Sequence, residues 1–452
     1  MFSAFANSLK VKELRSRILF TAGVIVLCRV AANIPCPGVD PAALKGYFEQ
    51  FGGDVGMLMG MFDMFSGGAL QQFAVATLGI MPYISASIIM QLLVPVLPQL
   101  EKLKREGDVG RQKINQYTRY LTVLICVVQG AMAAVAMINP GRIGLPNPVT
   151  PLVPNGGPLF IMMAVVVLTC GTMILLWLGE RITERGIGNG VSLIITIGIV
   201  DRLPSAFWQV WEMIMSGGAI AGSRFRLVHV LILLIVFVVV TAATIVLTQA
   251  LRKIPIQMAK RIVGNKMKGG STYMPLKLNF SGVMPIIFAG AILIFPSMLF
   301  RWIPWTRDMG LSQWFEYGTM SYMFFYGILI ILFSYFWVAN QFNPIDIADN
   351  LKKEGAFIPG IRPGKPTADF LDNTMTRITL AGSLFLTVLA VFPMFLYEKF
   401  RIPMSISSFF GGTSLLIIVG VVLDTLSQLE SHLVMRNYDG FLKRGRVRSR
   451  RN

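Results

Sequence analysis

The sequence predicts an all-α membrane protein of ten transmembrane helices, arranged as two inverted, pseudo-symmetric halves of five. Of its 452 residues 54% are hydrophobic and only 14% are charged, which is more apolar surface than one water-soluble globule can bury. The apolar residues occur in stretches of about 18 to 25, the length that crosses a hydrocarbon core roughly 30 Å thick. The predicted spans are about 17–35, 73–94, 118–138, 158–178, 190–208, 227–249, 280–300, 320–340, 376–397 and 408–430.

The first span has an alternative interpretation, a cleavable signal peptide. Arg29 interrupts its apolar run and the basic stretch before it is long, so a membrane helix is the better prediction. The second and fifth spans have the least certain ends, since Pro82 interrupts one and Asp201 the other. Metal or redox chemistry is not expected, because the four cysteines form no CxxC pair and the two histidines stand alone.

Basic residues predict the orientation, because Lys and Arg are retained on the cytoplasmic side. They concentrate in the amphipathic N-terminus 1–16, after the second span, after the sixth span and in the tail 431–452, whereas 36–72 and 139–157 have few. Both termini are therefore predicted to be cytoplasmic, with an even number of spans. The net charge of +18 is then located mainly in cytoplasmic segments.

The inverted repeat follows from a short sequence that occurs twice. GIMPYIS at 79–85 lies in the second span and GVMPIIF at 282–288 in the seventh. Five crossings in the first half force the second half to run upside down, and paired Gly/Pro-interrupted segments indicate a functional centre between such halves. We place the halves at 17–208 and 209–430.

The spans contain few ionisable residues, of which Asp424 is the clearest. HExxH, paired intramembrane aspartates and a P-loop are absent from the sequence, so neither a membrane enzyme nor nucleotide hydrolysis is predicted. A secondary transporter remains the alternative, supported by the inverted repeat alone. The interrupted spans instead carry branched aliphatic side chains, which are usually lipid-facing or core residues but can gate a conduit by dewetting.

A segment outside the spans is apolar but too short to cross the membrane. It reads MLMGMFDMFSGGAL at 57–70. One interpretation is an interfacial or re-entrant helix. The other is a movable stopper of a pore, for which flexible methionines are suited.

Six longer motifs are spread along the chain. They are MFSGGAL at 64–70, LGIMPYISASI at 78–88, QYTRY at 116–120, WLGERITERGIGNG at 177–190, FNPIDIADNLKKEGAFIPGIRPGKPT at 342–367 and GGTSLLI at 411–417. By these motifs the chain resembles the SecY family of bacterial protein-translocation channels nearly from end to end.

The resemblance implies a central hourglass pore with a lateral gate between spans 2 and 3 on one half and spans 7 and 8 on the other. The pore would pass unfolded polypeptides and release hydrophobic segments sideways into the bilayer. The pore ring would consist of Ile80, Ile84, Val191, Ile195, Ile287 and Ile417. The plug of about 57–70 would include Met61, Phe62, Met64, Phe65, Ser66, Gly67 and Gly68, and the lateral gate candidates are Pro82, Ser85, Gln129 and Pro285.

Ser85 and Gln129 have a plainer alternative, ordinary hydrogen bonding between helices. The cytoplasmic loops at about 250–279 and 341–375 are implied to dock SecA or a ribosome, although the positive-inside rule and anionic lipids explain some of the positive charge. The implied docking residues are Arg362, Arg252, Lys253, Lys260, Arg261, Lys266 and Lys268. Small subunits of the SecE and SecG type, signal sequences and location in the bacterial inner membrane are also implied, and no cofactor is.

Overall fold

The computed structural model of the chain is mostly helical, and each of the ten predicted spans overlaps a helix of the described chain. The structure describes residues 11–40, 43, 44, 46, 47, 66–140, 151–154, 156–201, 203–205, 207, 208, 211, 227–258, 261–263, 266–268, 271–302, 314, 318–400 and 413–444. The helices are α1 Lys12–Asn33, α2 Met81–Val96, α3 Pro98–Arg105, α4 Asp108–Ile138, α5 Pro158–Arg185, α6 Gly190–Val200, α7 Leu227–Gln249, α8 Met284–Trp302, α9 Met320–Gln341, α10 Pro344–Lys353, α11 Lys365–Phe400 and α12 Thr413–Arg444.

Length and apolar composition make five of the described helices able to cross a membrane. The number is six if α2 and α3, which are bent by 97° at their junction, form one span. The bend follows from sequence, since Pro98 begins α3 and the residue before a proline is disfavoured in the helical region. Leu97 accordingly has an extended backbone, with φ −98° and ψ 113°.

Two predicted spans are shorter as helices than as apolar stretches. The second is helical only from Met81, because the chain from Phe73 to Ile80 forms turns and a β-bridge residue. In the fifth, α6 ends at Val200 with Asp201 as its C-cap, and the described residues 203–205, 207 and 208 are again helical. Conversely α11 is longer than its predicted span, because its first turns, from Lys365, are polar and precede the apolar stretch.

The chain divides into two compact units. One comprises Met1–Ser205 and Gly420–Asn452, and the other comprises Ala206–Val419. In the first unit α4 packs on α2 and α5, and α5 also packs on α1 and α6. In the second unit α9 packs between α8 and α11, around a buried apolar cluster that includes Ile286, Ile330 and Leu386.

A small antiparallel sheet lies in the second unit, within the segments predicted as cytoplasmic loops. Its strand order is β4-β1-β5, where β1 is Leu251–Met258, β4 is Ser271–Lys277 and β5 is Ala356–Phe357. Two shorter strands, β2 Arg261–Val263 and β3 Lys266–Lys268, pair with each other. The alternation of buried Ile254 and Ile256 with exposed neighbours explains β1, because successive side chains of a strand point to opposite faces.

The register of this sheet joins two segments that are distant in sequence. Leu251 pairs with Lys277 at one end of β1, and Gln257 pairs with Phe357 near the other. Ile254 and Leu276 then pack with Leu371 and Met375 of α11. The loops predicted at 250–279 and 341–375 are therefore parts of one packed structure.

Candidate functional site

The two copies of the repeated motif have the same local structure. Gly79 and Gly282 both have left-handed backbones, with φ +57° and +62°, a conformation that glycine adopts without steric cost. Two residues later, at Met81 and Met284, a helix begins in each copy. Proline is then the second helical residue, where its missing N–H loses no helical hydrogen bond. The repeated prolines thus start helices rather than break them.

Ile80 and Ile84, the ring candidates at the start of α2, are buried, with 3% and 8% of their surface exposed. Val191 and Ile195 lie half-buried on α6. A cavity of about 20 Å³ in the first unit is lined by Ile80, Ile195 and Ser66, among others. The structure therefore brings two ring candidates and one plug candidate to the same cavity, which Ile84 and Val191 do not line.

The remaining ring candidates belong to the second unit. Ile287 is half-buried on α8, where Pro285 is buried and the carbonyl oxygen of Ile286 accepts a hydrogen bond from the Tyr326 hydroxyl at 3.4 Å. Ile417 is buried on α12, with 6% of its surface exposed. None of the six ring candidates has an exposed side chain.

The plug candidates fall into two groups. Met61, Phe62, Met64 and Phe65 lie outside the described residues. Ser66, Gly67 and Gly68 lead into a short 3-10 helix at Ala69–Gln72, and both glycines have left-handed backbones. The Thr77 hydroxyl donates to the Ala69 carbonyl oxygen at 3.1 Å, so the end of this segment is fixed to the turns that precede α2.

Arg29 contacts the plug segment and pairs with Asp201, and no local pattern in the sequence links these two residues. The Arg29 Nη1 donates to the Gly67 carbonyl oxygen at 3.1 Å and lies 3.1 Å from Asp201 Oδ2. In the sequence both residues were visible as interruptions of apolar spans. Their pairing depends on the packing of α1 against α6.

The turn that precedes α6 is held by side chains from three other places in the first unit. The Ile187 N–H donates to Thr21 Oγ1 at 3.2 Å, the Gly188 N–H to Gln428 Oε1 at 3.0 Å, and the Gly190 N–H to Thr183 Oγ1 at 2.9 Å. Asn189 caps α6 by accepting from the Ser192 N–H. These contacts set the position of Val191 and Ile195, and sequence reasoning identified none of the three acceptors.

The lateral gate candidates of the first unit lie on helices that pack together. Ser85 on α2 and Gln129 on α4 are both half-buried. Neither side chain makes a hydrogen bond to another described residue. Pro82 and Pro285 are both buried.

The docking candidates of the second unit include three exposed cationic side chains. Arg252 and Lys253 lie on β1, and Arg362 lies in a turn between two left-handed glycines, Gly360 and Gly364. The Arg362 carbonyl oxygen accepts from the Thr367 hydroxyl at 2.8 Å, so the turn is fixed to the start of α11. Arg261, Lys266 and Lys268 are on the β2-β3 hairpin, and Lys260 lies outside the described residues.

No group of three or more His, Cys, Asp or Glu side chains able to hold a metal ion occurs in the part of the chain that the structure describes.

A family model described as SecY matches residues 74–426. The chain belongs to the SecY family.

Close relatives have the same family name. The protein translocase subunit SecY of Chlamydia muridarum (strain MoPn / Nigg) is 42% identical over 452 residues, which cover 98% of this chain and 98% of the relative. The protein translocase subunit SecY of Haemophilus influenzae (strain ATCC 51907 / DSM 11121 / KW20 / Rd) is 44% identical over 446 residues, covering 96% and 95%.

Solved SecY-type structures have the same fold. One, described as "The structure of a protein conducting channel", gives a TM-score of 0.60 at 18% identity, with 92% of both chains covered. A second concerns the plug domain of SecY and gives 0.58 at 20% identity, also with 92% covered. Sec61 in the canine ribosome-channel complex gives 0.57 at 17% identity, with 94% covered. These likenesses confirm the predicted fold.

Membership of the SecY family also confirms the predicted function. The chain is a multi-pass membrane protein and the channel subunit of a protein translocase, and it is not an enzyme. The roles of individual residues remain predictions.

Proposed function

We propose that this SecY-family chain works in a bacterial inner membrane with both termini in the cytoplasm. It passes unfolded polypeptides between the halves 17–208 and 209–430 and releases hydrophobic segments sideways into the lipid. The orientation is supported by the concentration of basic residues in 1–16, in the cytoplasmic loops and in 431–452, since Lys and Arg are retained on the cytoplasmic side.

The constriction of this channel is a ring of apolar side chains. Such a ring offers no sequence-selective hydrogen bonds to the passing chain, and a narrow apolar passage disfavours hydrated ions. The proposal is supported by the burial of Ile80 and Ile84 and by the absence of exposed side chains among the candidates. The ring residues are Ile80, Ile84, Val191, Ile195, Ile287 and Ile417.

The segment 57–70 stops the channel when it is idle. The cavity shared by Ser66, Ile80 and Ile195 supports this role, as does the solved SecY structure whose description states that its plug domain stabilises the closed state. For the lateral opening, each half supplies one flexible wall. These walls are the junctions between turn and helix that contain Pro82 and Pro285. Ser85 and Gln129 lie along that seam, where unpaired polar groups can separate without losing a hydrogen bond between helices.

The cytoplasmic partner that delivers the polypeptide docks on β1 and the Arg362 turn, together with the basic residues Arg261, Lys266 and Lys268 of the β2-β3 hairpin. The partner is SecA or a translating ribosome, whose RNA phosphates attract Lys and Arg in a salt-dependent way. The exposed Arg252, Lys253 and Arg362 support this role, as does the ribosome-bound canine Sec61. SecE- and SecG-type subunits and anionic lipids complete the assembly.

The proposal is tested by translocation into vesicles. The purified translocon is reconstituted with SecA and ATP, and a presecretory protein is expected to become protected from added protease. Arg362→Glu is expected to reduce the protected yield at least about 10-fold, the effect of losing one charge-assisted contact.

Lys365→Glu is the matched control, because Lys365 is exposed near the same turn and undergoes the same change of charge. Its protected yield is expected to stay near that of the wild type. Equal losses in both variants would contradict a specific role of Arg362, and an unprotected substrate with the wild-type channel would contradict the proposed transport.

A further inference from the structure

The guanidinium of Arg29 lies where three parts of the first unit meet. Arg29 is close to the end of α1, and only 21% of its side chain is exposed. Its Nη1 donates to the Gly67 carbonyl oxygen and contacts the Asp201 carboxylate, both at 3.1 Å. Its Nε is buried and has no hydrogen-bond partner within the described chain. One cation therefore holds both the turn at 66–70 and the end of α6.

The backbone of Gly67 packs directly on this cation and on α6. A Cβ at Gly67 would lie 2.6 Å from Arg29 Nη1 and 3.1 Å from the Cα of Gly198. A Cβ at Gly198 would in turn lie 3.6 Å from the Cα of Gly67. Only a glycine at position 67, with its left-handed φ of +65°, lets the two backbones and the guanidinium approach this closely.

The two partners of Arg29 differ in what holds them in place. Asp201 is the C-cap of α6 and stays with that helix, whereas Gly67 belongs to the turn at 66–70, whose far end is held where the Ala69 carbonyl oxygen accepts from the Thr77 hydroxyl. If the start of this turn moves away from α6 about that end, Arg29 loses one charge-assisted hydrogen bond but keeps its counter-ion. An arginine without a counter-ion is costly inside a membrane protein, so the Asp201 carboxylate lowers the cost of releasing the turn.

We propose that Arg29 is a positioning residue that latches the turn at 66–70 to α6 through the Gly67 carbonyl oxygen, with Asp201 as the counter-ion that remains when the turn leaves. The latch rests on the proposed role of the segment 57–70 as the stopper, and it gives that segment a specific holding contact. The latch predicts that the fraction of channels in which the turn at 66–70 is held in place depends on the Arg29 donor more than on the Asp201 charge.

The first test measures release of the turn directly. In the full translocon, native cysteines are replaced and Ser66→Cys is introduced, and the rate of maleimide labelling reports how often the turn leaves. Arg29→Met is expected to raise this rate about 10- to 100-fold, the range for one charge-assisted hydrogen bond. Asp201→Asn, which keeps the donor to Gly67, is expected to raise it less.

Arg119→Met is the matched control. Arg119 makes an ion pair with Glu180 at 2.7 Å in the same unit, and among the described residues no hydrogen bond or ion pair joins it to the turn at 66–70. Its labelling rate is expected to equal that of the wild type. A labelling rate that rises as much in Arg119→Met as in Arg29→Met would overturn the latch, because both variants would then act by destabilising the unit as a whole.

The second test separates the latch from the stopper role. Resting ion conductance is measured in planar bilayers for Arg29→Met and for deletion of 57–70, and both are expected to raise it. If the deletion raises conductance while Arg29→Met changes neither conductance nor labelling, the latch is wrong and the stopper role stands. If the deletion leaves conductance unchanged, the stopper role is wrong, and faster labelling in Arg29→Met still supports the contact itself.

Discussion

The turn before α6 offers a sharp test of how side chains fix the position of the candidate ring residues. Thr21 is buried, its hydroxyl donates to the Arg17 carbonyl oxygen at 2.9 Å, and its Oγ1 accepts the buried Ile187 N–H at 3.2 Å. Thr21→Val keeps the shape of the side chain but removes the acceptor. The Ile187 N–H is then buried without a partner.

The cost of such an orphaned donor is about 1–3 kcal/mol. The loss of the hydroxyl donor to the Arg17 carbonyl oxygen adds little to this cost, because that oxygen keeps its backbone hydrogen bond within α1. A local destabilisation of this size increases the opening of the turn about 5- to 150-fold. Hydrogen exchange followed by mass spectrometry, on the peptide that spans residues 185–192, is expected to accelerate by that factor.

Thr122→Val is the matched control for this experiment. The Thr122 side chain is fully buried, and its hydroxyl only donates to the Thr118 carbonyl oxygen, at 2.8 Å, within α4. No backbone N–H of the described residues donates to it, so the change in stability is expected to stay within about 0.5 kcal/mol. Unchanged exchange around Ile187 in Thr21→Val, or equal acceleration in Thr122→Val, would refute the reasoning.

Two further predictions concern the sheet and a cysteine outside the spans. Ile254→Ala is expected to lower the free energy of unfolding by about 2–5 kcal/mol, because Ile254 is 3% exposed and packs in the cluster under the sheet. Faster trypsin cleavage near Arg252 would report this loss, and Tyr273→Ala, at an exposed position, is the control. An unchanged cleavage rate in Ile254→Ala would contradict the prediction. Burial raises the pKa of the Cys36 thiol, and the thiolate is the reactive form. A variant with Cys36 as its only cysteine should therefore react slowly with maleimide at pH 7 and faster as the pH rises towards that pKa, whereas labelling as fast as in the unfolded chain would contradict this.

The helices could be predicted from the sequence because membrane burial leaves a long, uniform signal. Apolar stretches of bilayer length overlap ten of the twelve helices α1–α12, all but α3 and α10, and the repeated Gly-x-Met-Pro located the starts of α2 and α8. The interpretation of proline was wrong: Pro82 and Pro285 were interpreted as interruptions, whereas a proline at the second helical position loses no helical hydrogen bond. The turns at 73–80 were therefore counted as part of a span.

The contacts around the site could not be predicted, because they join residues far apart in sequence. Arg29 and Asp201 are separated by 172 positions, and Gly188 and Gln428 by 240. The sheet left a weak signal, the alternation around Ile254 and Ile256, but Pro255 and the nearby charges made the segment resemble a basic loop. The pairing of β1 with β5 had no local signal at all.

The position of Arg29 bears on how an apolar constriction can exclude ions. Arg29 lines the same cavity as Ile80 and Ile195, and a lone guanidinium there would attract water and anions, which counteracts gating by dewetting. The Asp201 carboxylate balances its charge, and the Gly67 carbonyl oxygen takes one of its donors. If Ile80 and Ile195 form part of the barrier as proposed, the barrier depends on this pairing as well as on apolar side chains. A substitution that removes the carboxylate should then increase leakage of anions more than leakage of cations.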